Sequence, residues 1–350
     1  MNTFNNFRNL IFTISALISI SALLWFTDLY KQSVTDGLLG CCNVLVPSLF
    51  PFFFLSSFIV YSDCFSVVTK KLSWAEKLTG ISPQGLLAVL LCVIGGFPVG
   101  GRVVSSLFSQ GKITENEAKR LSYICVGAGP GFIVTFVGEG IFGNKALGLL
   151  LLVASVSSVV TLVMLSRFIP LKKDNIPLKN NTQYSIGESI VKGTESAVRS
   201  TLSMCGFVVI FVVINNLMSL LPYYNGVIAT LLEITSGMIN FGNDMNVILV
   251  AFLIGFGGIC VHFQIFGIIK NINISKVLFF LVRILQGLIS ALYIHILLYF
   301  FPVAEQVFSS IEENTVPQLS STAWGGGGLI LLSIIFLLSI KKSEVNLCVE

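Results

Sequence analysis

Charged residues are scarce in this chain: 21 Lys and Arg and 17 Asp and Glu make up 11% of its 350 residues. A soluble domain carries about 25% charged residues, so this chain has too little charge to cover a water-facing surface. Hydrophobic residues make up 54%, and the apolar runs reach the ~17–25 residues needed to cross a bilayer. The net charge is only +4 without a basic stripe, so no nucleic-acid partner is expected. The composition predicts a multi-pass protein embedded in a lipid bilayer.

Groups that carry catalytic and metal chemistry are also scarce. The chain has two histidines, no His-Glu-x-x-His motif, and eight cysteines without a Cys-x-x-Cys pair. The cysteines mostly lie in apolar runs, where they are expected to act as small buried hydrophobes. The aspartates lie at the ends of predicted spans or in loops, which argues against an intramembrane aspartyl protease. No enzymatic activity, metal or cofactor is therefore expected.

Nine apolar runs are predicted to lie in the membrane. They cover residues 9–26, 38–61, 85–110, 118–142, 145–168, 198–221, 245–269, 276–301 and 325–340. Residues 64–82, with three lysines beside Trp74, predict an interfacial helix. Residues 226–242 predict an interfacial or re-entrant segment. The Thr114–Glu117 sequence is a capping box that should begin the helix running into 118–142, and the basic loop 169–197 should face the cytoplasm.

Three apolar runs are interrupted by glycine and proline. The interruptions, which we call the first, second and third breaks, are Ile94–Arg102 (IGGFPVGGR), Val126–Gly131 (VGAGPG) and Gly255–Gln264 (GFGGICVHFQ). Backbone groups cannot stay unpaired in lipid, so irregular backbone at that depth must line a cavity inside the protein. Half-helix ends at such a cavity can bind anions or cations. The alternative is that the glycines simply allow helices to pack closely. Three breaks, two of them with proline, make this alternative less favoured.

The first and third breaks are related by an offset of 162 residues. This offset aligns Gly95 with Gly257, Gly96 with Gly258, Val99 with Val261 and Arg102 with Gln264. Matched breaks in two halves are the best sequence indication of a transporter's binding site. The predicted fold is an all-α transmembrane bundle of two pseudo-symmetric repeats with broken or re-entrant helices. The predicted order is an N-terminal helix (1–34), repeat 1 (35–168), the basic loop (169–197), repeat 2 (198–302), an acidic loop (303–324) and a C-terminal helix with a basic tail (325–350).

Three segments, Pro47–Phe53 (PSLFPFF), Gly95–Arg102 and Gly257–Gln264, resemble the sporulation integral membrane protein YlbJ family. That family belongs to the nucleoside-recognition or Gate group, which includes concentrative nucleoside transporters. The resemblance covers roughly residues 35–300. It implies a gate-type transporter with inverted repeats in the cell membrane of spore-forming bacteria, with dipicolinate as the suggested cargo. If 85–110 and 245–269 are full spans, the charges of the loops instead favour two parallel repeats. The chain departs from the family at Arg102, where Lys is frequent.

Candidate substrate-binding residues lie at the breaks and on a facing span. They are Gly95, Gly96, Pro98, Gly100, Arg102, Gly129, Pro130, Asn215, Gly257, Gly258, His262 and Gln264. Arg102 is expected to bind a substrate carboxylate, because its guanidinium follows unwound backbone; snorkelling to the interface is the alternative. His262 and Gln264 are expected to mirror Arg102 from the second half, with interhelical hydrogen bonding as the alternative. For Asn215, interhelical bonding is favoured over a ligand role.

Two carboxylates, Glu139 and Glu233, could carry a coupling proton or sodium ion, although an interfacial position is favoured for each. Arg283 is expected to snorkel or to pair with an acid. The predicted function is transport of a small anionic or nucleoside-like solute. The alternatives are a structural or assembly membrane protein of sporulation and, less favoured, an intramembrane enzyme. A homo-oligomer is a possible assembly.

Overall fold

The computed structural model describes residues 27–62, 65–168 and 184–302, with the isolated positions 13, 14, 17, 21 and 25. Every regular element in these ranges is a helix, which confirms the all-α prediction. The predicted spans 9–26 (apart from those isolated positions) and 325–340, and the acidic loop 303–324, lie outside the described residues. The division into two repeats stays a prediction.

The first part of the chain folds as helices separated by sharp breaks. They are α1 (Thr27–Gly40), α2 (Val46–Tyr61), α3 (Phe65–Thr79), α4 (Pro83–Gly95), α5 (Val99–Ser109), α6 (Glu115–Ile124) and α7 (Lys145–Ser166). A π-helical turn, Cys41–Leu45, joins α1 to α2, and a π-helical segment, Gly131–Ile141, precedes α7. The second break predicted inside the run 118–142 is confirmed, because α6 ends at Ile124 and the chain becomes helical again only at the π-helical segment.

The second part contains one long helix, two short ones and a broken one. The helices are α8 (Ile186–Met218), α9 (Gly226–Leu232), α10 (Ile234–Phe241), α11 (Val247–Phe256), α12 (Gly258–Ile268) and α13 (Lys276–Phe300). The loop predicted over 169–197 is too long, because α8 already begins at Ile186. Ser185 and Glu188 form a complete capping box there, in which each side chain accepts a hydrogen bond from the other residue's backbone N–H.

The capping box predicted at Thr114 forms only in part. The Thr114 hydroxyl accepts a hydrogen bond from the Glu117 backbone N–H at 3.2 Å, as predicted. The Glu117 carboxylate instead accepts from the Ser82 backbone N–H at 2.7 Å. Glu117 therefore ties the first turn of α6 to the residue that precedes α4.

Several helices are long and apolar enough to cross a membrane. Among the described residues these are Lys145–Ser166, Ile186–Met218, Val247–Ile268 and Lys276–Phe300, where Val247–Ile268 comprises α11 and α12. Two bent pairs, Tyr30–Leu45 with Leu49–Tyr61 and Lys71–Thr79 with Pro83–Gly95, raise the number from 4 to as many as 6. The chain is a multi-pass integral membrane protein.

Helices α4 and α5 fold back on each other as a hairpin, here called the first hairpin (83–109), with the first break at its tip. A Cβ atom placed on Gly100 in α5 would lie only 2.8 Å from the Cβ atom of Cys92 in α4. The two arms therefore touch next to the tip, and the predicted run 85–110 is two packed half-helices.

Helices α9 and α10 form the second hairpin (226–241), with Glu233 at its tip. A Cβ atom on Gly226 would lie 2.6 Å from the Cβ atom of Phe241, and one on Gly237 would lie 2.4 Å from the Cα atom of Thr230. These contacts pair the two arms along their whole length. The hairpin shape is the one that a re-entrant segment requires.

Candidate functional site

The three breaks meet at one place. Gly96 in the first break has a φ of +74°, and a Cβ atom there would lie 2.4 Å from the backbone nitrogen of Gly129 in the second break. Gly257 in the third break has a φ of +89°, and a Cβ atom there would lie 3.4 Å from the Phe97 ring. The tips of segments 94–101 and 255–263, which come from different halves of the chain, are therefore neighbours.

The remaining glycine and proline candidates shape this junction. A Cβ atom on Gly100 would lie 2.3 Å from the carbonyl oxygen of Cys125, so the first hairpin packs closely on the end of α6. Gly258 faces the second hairpin, since a Cβ atom there would lie 3.5 Å from the backbone nitrogen of Ile234. Three more candidates, Gly95, Pro98 and Pro130, lie at helix ends beside the breaks.

A cavity lies at this junction. Its lining residues are Leu45, Leu49, Phe97, Gly129, Phe132, Met204, Val208, Glu233, Ile234, Thr235, Val261 and Gln264. The cavity has a volume of about 40 Å³. That is room for about three water molecules. The wall is mostly apolar with a few converging polar groups, which is the usual composition of a small-molecule site.

Among the described residues, Glu233 supplies the only charged side chain of this lining. Its carboxylate accepts hydrogen bonds from the backbone N–H groups of Thr235 at 3.0 Å and Ser236 at 2.6 Å, so it caps α10. Only 2% of the residue is exposed. The Glu233 carboxylate lies inside the protein beside the cavity, and its depth in the membrane stays a prediction.

Gln264 also reaches the cavity, whereas His262 does not. Two residues apart on a helix, these side chains point roughly 200° away from each other. The Gln264 amide nitrogen donates to the Cys260 sulfur at 3.3 Å, and the residue is 5% exposed. His262 is fully buried, with its Nε2 atom 2.8 Å from the Phe256 carbonyl oxygen and its ring against phenylalanine rings on α11 and α13. Its observed role is helix packing.

Arg102 likewise lies outside the cavity lining. Its Nη1 atom donates to the Ser196 hydroxyl at 3.3 Å, and that hydroxyl also accepts from the Ser57 hydroxyl at 3.0 Å. The side chain is half-buried between the first hairpin, α2 and α8. The predicted pairing of Arg102 with His262 and Gln264 around one ligand is therefore not observed, because only Gln264 faces the cavity.

Asn215 and Glu139 also lie elsewhere. The Asn215 amide nitrogen donates to the Ala229 carbonyl at 3.1 Å and the Ser236 hydroxyl at 3.2 Å, and its oxygen accepts from the Tyr224 hydroxyl at 3.0 Å. Its amide therefore holds the second hairpin on α8, which is the interhelical role favoured from sequence. Glu139 is exposed on the π-helical segment and does not line the cavity.

Arg283 has a role that the sequence did not predict. It is fully buried in α13 and donates hydrogen bonds to the carbonyl oxygens of Tyr123, in the last turn of α6, and of Val126, in the second break. Snorkelling is wrong for this residue, because the guanidinium binds unwound backbone inside the protein. The available signal was an arginine well inside an apolar run, where a charge needs polar partners.

The comparisons with known proteins agree with the family resemblance. The sporulation integral membrane protein YlbJ of Bacillus subtilis (strain 168) is 27% identical to this chain over an alignment of 355 positions. The alignment covers 87% of this chain and 86% of that protein. No family model and no solved structure matches the chain. The similarity to YlbJ confirms the resemblance seen in three short segments and extends it over most of the chain.

Proposed function

We propose that this relative of YlbJ transports a small solute across the membrane and binds it in the cavity between the three breaks. The observation that supports this proposal is that interrupted helices from both halves of the chain meet around a buried carboxylate and a buried amide. Discontinuous helices that meet between two halves form the binding sites of many secondary transporters.

The cavity wall constrains the charge of the solute. Glu233 is the charged group of the lining, and Arg102 lies outside it. An uncharged, nucleoside-like solute could contact this wall without any charge having to be neutralised. An anionic solute, such as the dipicolinate suggested by the family resemblance, would bind only with a proton or sodium ion on Glu233. In this proposal Glu233 carries the coupling ion, and Gln264 hydrogen-bonds the solute.

The size of the cavity implies that transport includes a conformational change. Space for about three water molecules is too small for an aromatic solute. The tips of the two hairpins therefore have to separate for the solute to enter. We also propose that this chain acts in sporulation, because the name of its relative includes that role.

Solute flux into proteoliposomes tests the proposal. Purified protein is reconstituted into liposomes that contain Tb³⁺, whose emission rises when dipicolinate enters, and into liposomes assayed for uptake of labelled uridine. We expect flux of at least one solute above that of protein-free liposomes. Flux should fall at least tenfold in Glu233→Gln and Gln264→Ala.

The matched control is Glu139→Gln, which neutralises an exposed carboxylate away from the cavity and should keep the flux. Correctly folded protein that moves neither solute would favour the assembly-protein alternative. Equal flux in wild type and Glu233→Gln would exclude the coupling role of Glu233.

A further inference from the structure

Helix α3 turns sharply away from the first hairpin that follows it. Its part Lys71–Thr79 makes an angle of 96° with α4 (Pro83–Gly95). Helix α4 has no charged residue, whereas α3 has four, three lysines and one glutamate, within 15 residues. Four charges are costly inside a bilayer, so α3 is better suited to the membrane surface than to its interior.

The end of α3 is held at the end of a membrane span. Arg167, which directly follows α7, donates from its Nη1 atom to the Leu78 carbonyl oxygen at 3.0 Å. Arg120 of α6 donates to the next carbonyl, that of Thr79, at 2.7 Å. Helix α7 has 22 apolar-rich residues and is about 33 Å long, which is enough to cross the hydrocarbon core. Its end therefore marks a membrane surface, and α3 lies at that level.

The outward face of α3 combines apolar and positively charged side chains. Trp74 is 68% exposed, and Leu78, one turn further on, is 46% exposed. At roughly 100° per residue, the exposed Lys77 lies on one side of this pair and the exposed Lys71 on the other. The exposed Arg167 adds a third positive charge beside Leu78. We call these five residues the interfacial patch.

The charge of the interfacial patch is not balanced within the described part of the chain. The ion pairs there are Lys119–Glu115 and Arg199–Glu195, and neither involves the patch. Glu76, the acidic residue of α3, lies two residues after Trp74 and so points roughly 200° away from it. None of the five patch residues lines the central cavity, so this surface is separate from the proposed solute site.

We propose that the interfacial patch binds anionic phospholipids of the leaflet that it faces. At this depth a membrane offers acyl chains to Trp74 and Leu78 and phosphate groups to the basic side chains. Tryptophan is enriched at membrane surfaces, and basic residues there attract anionic lipids. The basic loop that follows Arg167 is expected to face the cytoplasm, and the cytoplasmic leaflet has a negative surface potential. A soluble partner would have to reach the patch at the level where lipid already surrounds α7.

Quenching of Trp74 fluorescence by brominated lipids tests the proposal. The other two tryptophans, Trp25 and Trp324, are replaced by phenylalanine, and the protein is reconstituted in equimolar phosphatidylglycerol and phosphatidylcholine. Bromine on an acyl chain quenches tryptophan at close range, so brominating one lipid at a time reports which lipid lies at Trp74. We expect an at least fivefold preference for the anionic phosphatidylglycerol, because one nearby basic residue already contributes about fivefold.

Lys71→Gln combined with Lys77→Gln should reduce this preference below about twofold without unfolding the protein, because both side chains are exposed. Lys145→Gln is the matched control. It neutralises an exposed lysine at the other end of α7, about 33 Å from Arg167 along the helix, and should keep the preference. Equal quenching by the two lipids, or an unchanged preference in the double variant, would overturn the proposal. Quenching by neither lipid would also overturn it and would favour a protein partner or a second copy of the chain on this surface.

Discussion

Replacing Gly96 by alanine tests whether the first and second breaks touch in the folded protein. Gly96 has a φ of +74°, and the new Cβ atom would lie 2.4 Å from the backbone nitrogen and 2.8 Å from the Cα atom of Gly129. Both atoms belong to the backbone, so no flexible side chain can move out of the way. Gly96→Ala should therefore either push the two breaks apart or unfold the junction.

The expected loss of stability has two parts. At φ +74° and ψ −171° the backbone lies in a region that is essentially restricted to glycine, and it costs a residue with a Cβ atom about 1–3 kcal/mol. Forcing an extra carbon into a closely packed site costs about 1–3 kcal/mol. Together these give about 2–6 kcal/mol, which lowers the ratio of folded to unfolded protein about 30- to 25,000-fold.

Unfolding of the purified protein in detergent, followed by circular dichroism against heat or denaturant, measures this loss. Gly131→Ala serves as the control, since its new methyl group meets nothing within 4 Å. The control should match the wild type or exceed it by about 0.5–1 kcal/mol, because alanine is a better helix former than glycine. A loss below about 1 kcal/mol in Gly96→Ala would contradict the contact between the breaks.

Three further predictions concern the second hairpin and the cavity. Asn215→Ala should lower the unfolding free energy by about 1–3 kcal/mol, because two hydrogen bonds to the second hairpin and one to Tyr224 are lost. Asn216→Ala, which loses one described bond to Ser33, should cost about 0.5–1.5 kcal/mol. Gly237→Ala should cost about 1–3 kcal/mol in the same assay by forcing the hairpin arms apart; an unchanged unfolding temperature would contradict their contact. Gln264→Ala should weaken solute binding about ten- to a hundredfold in equilibrium binding, whereas Arg102→Ala should leave it within about twofold. A larger loss of solute affinity in Arg102→Ala than in Gln264→Ala would show that Arg102 binds the solute.

The sequence predicted where the chain is broken better than which side chains face the cavity. Glycine and proline mark the breaks directly, because they disfavour helix in any context. The rotation of the helix that follows a break is set by the torsion angles of the break itself, such as the φ of +89° at Gly257. The apolar pattern does not encode that rotation, so Gln264, His262 and Arg102 could not be assigned to faces.

Other features were missed because their signals are weak. Glutamate is not among the favoured N-cap residues, so nothing in the sequence indicated that Glu233 would begin α10. The break inside the run 118–142 was recognised from its glycines and Pro130, but the π-helical form of Gly131–Ile141 was not predicted. The start of α8 was different, since Ser185 and Glu188 have the spacing of a capping box and could have been recognised.

The long helix α8 also connects distant parts of the protein mechanically. Near its start Ser196 contacts Arg102 of the first hairpin, and near its end Asn215 holds the second hairpin. At ~1.5 Å per residue these contact points are about 28 Å apart along the axis. A tilt of only about 5° around one contact would displace the other by about 2.5 Å, so a small tilt of α8 would move one hairpin relative to the other.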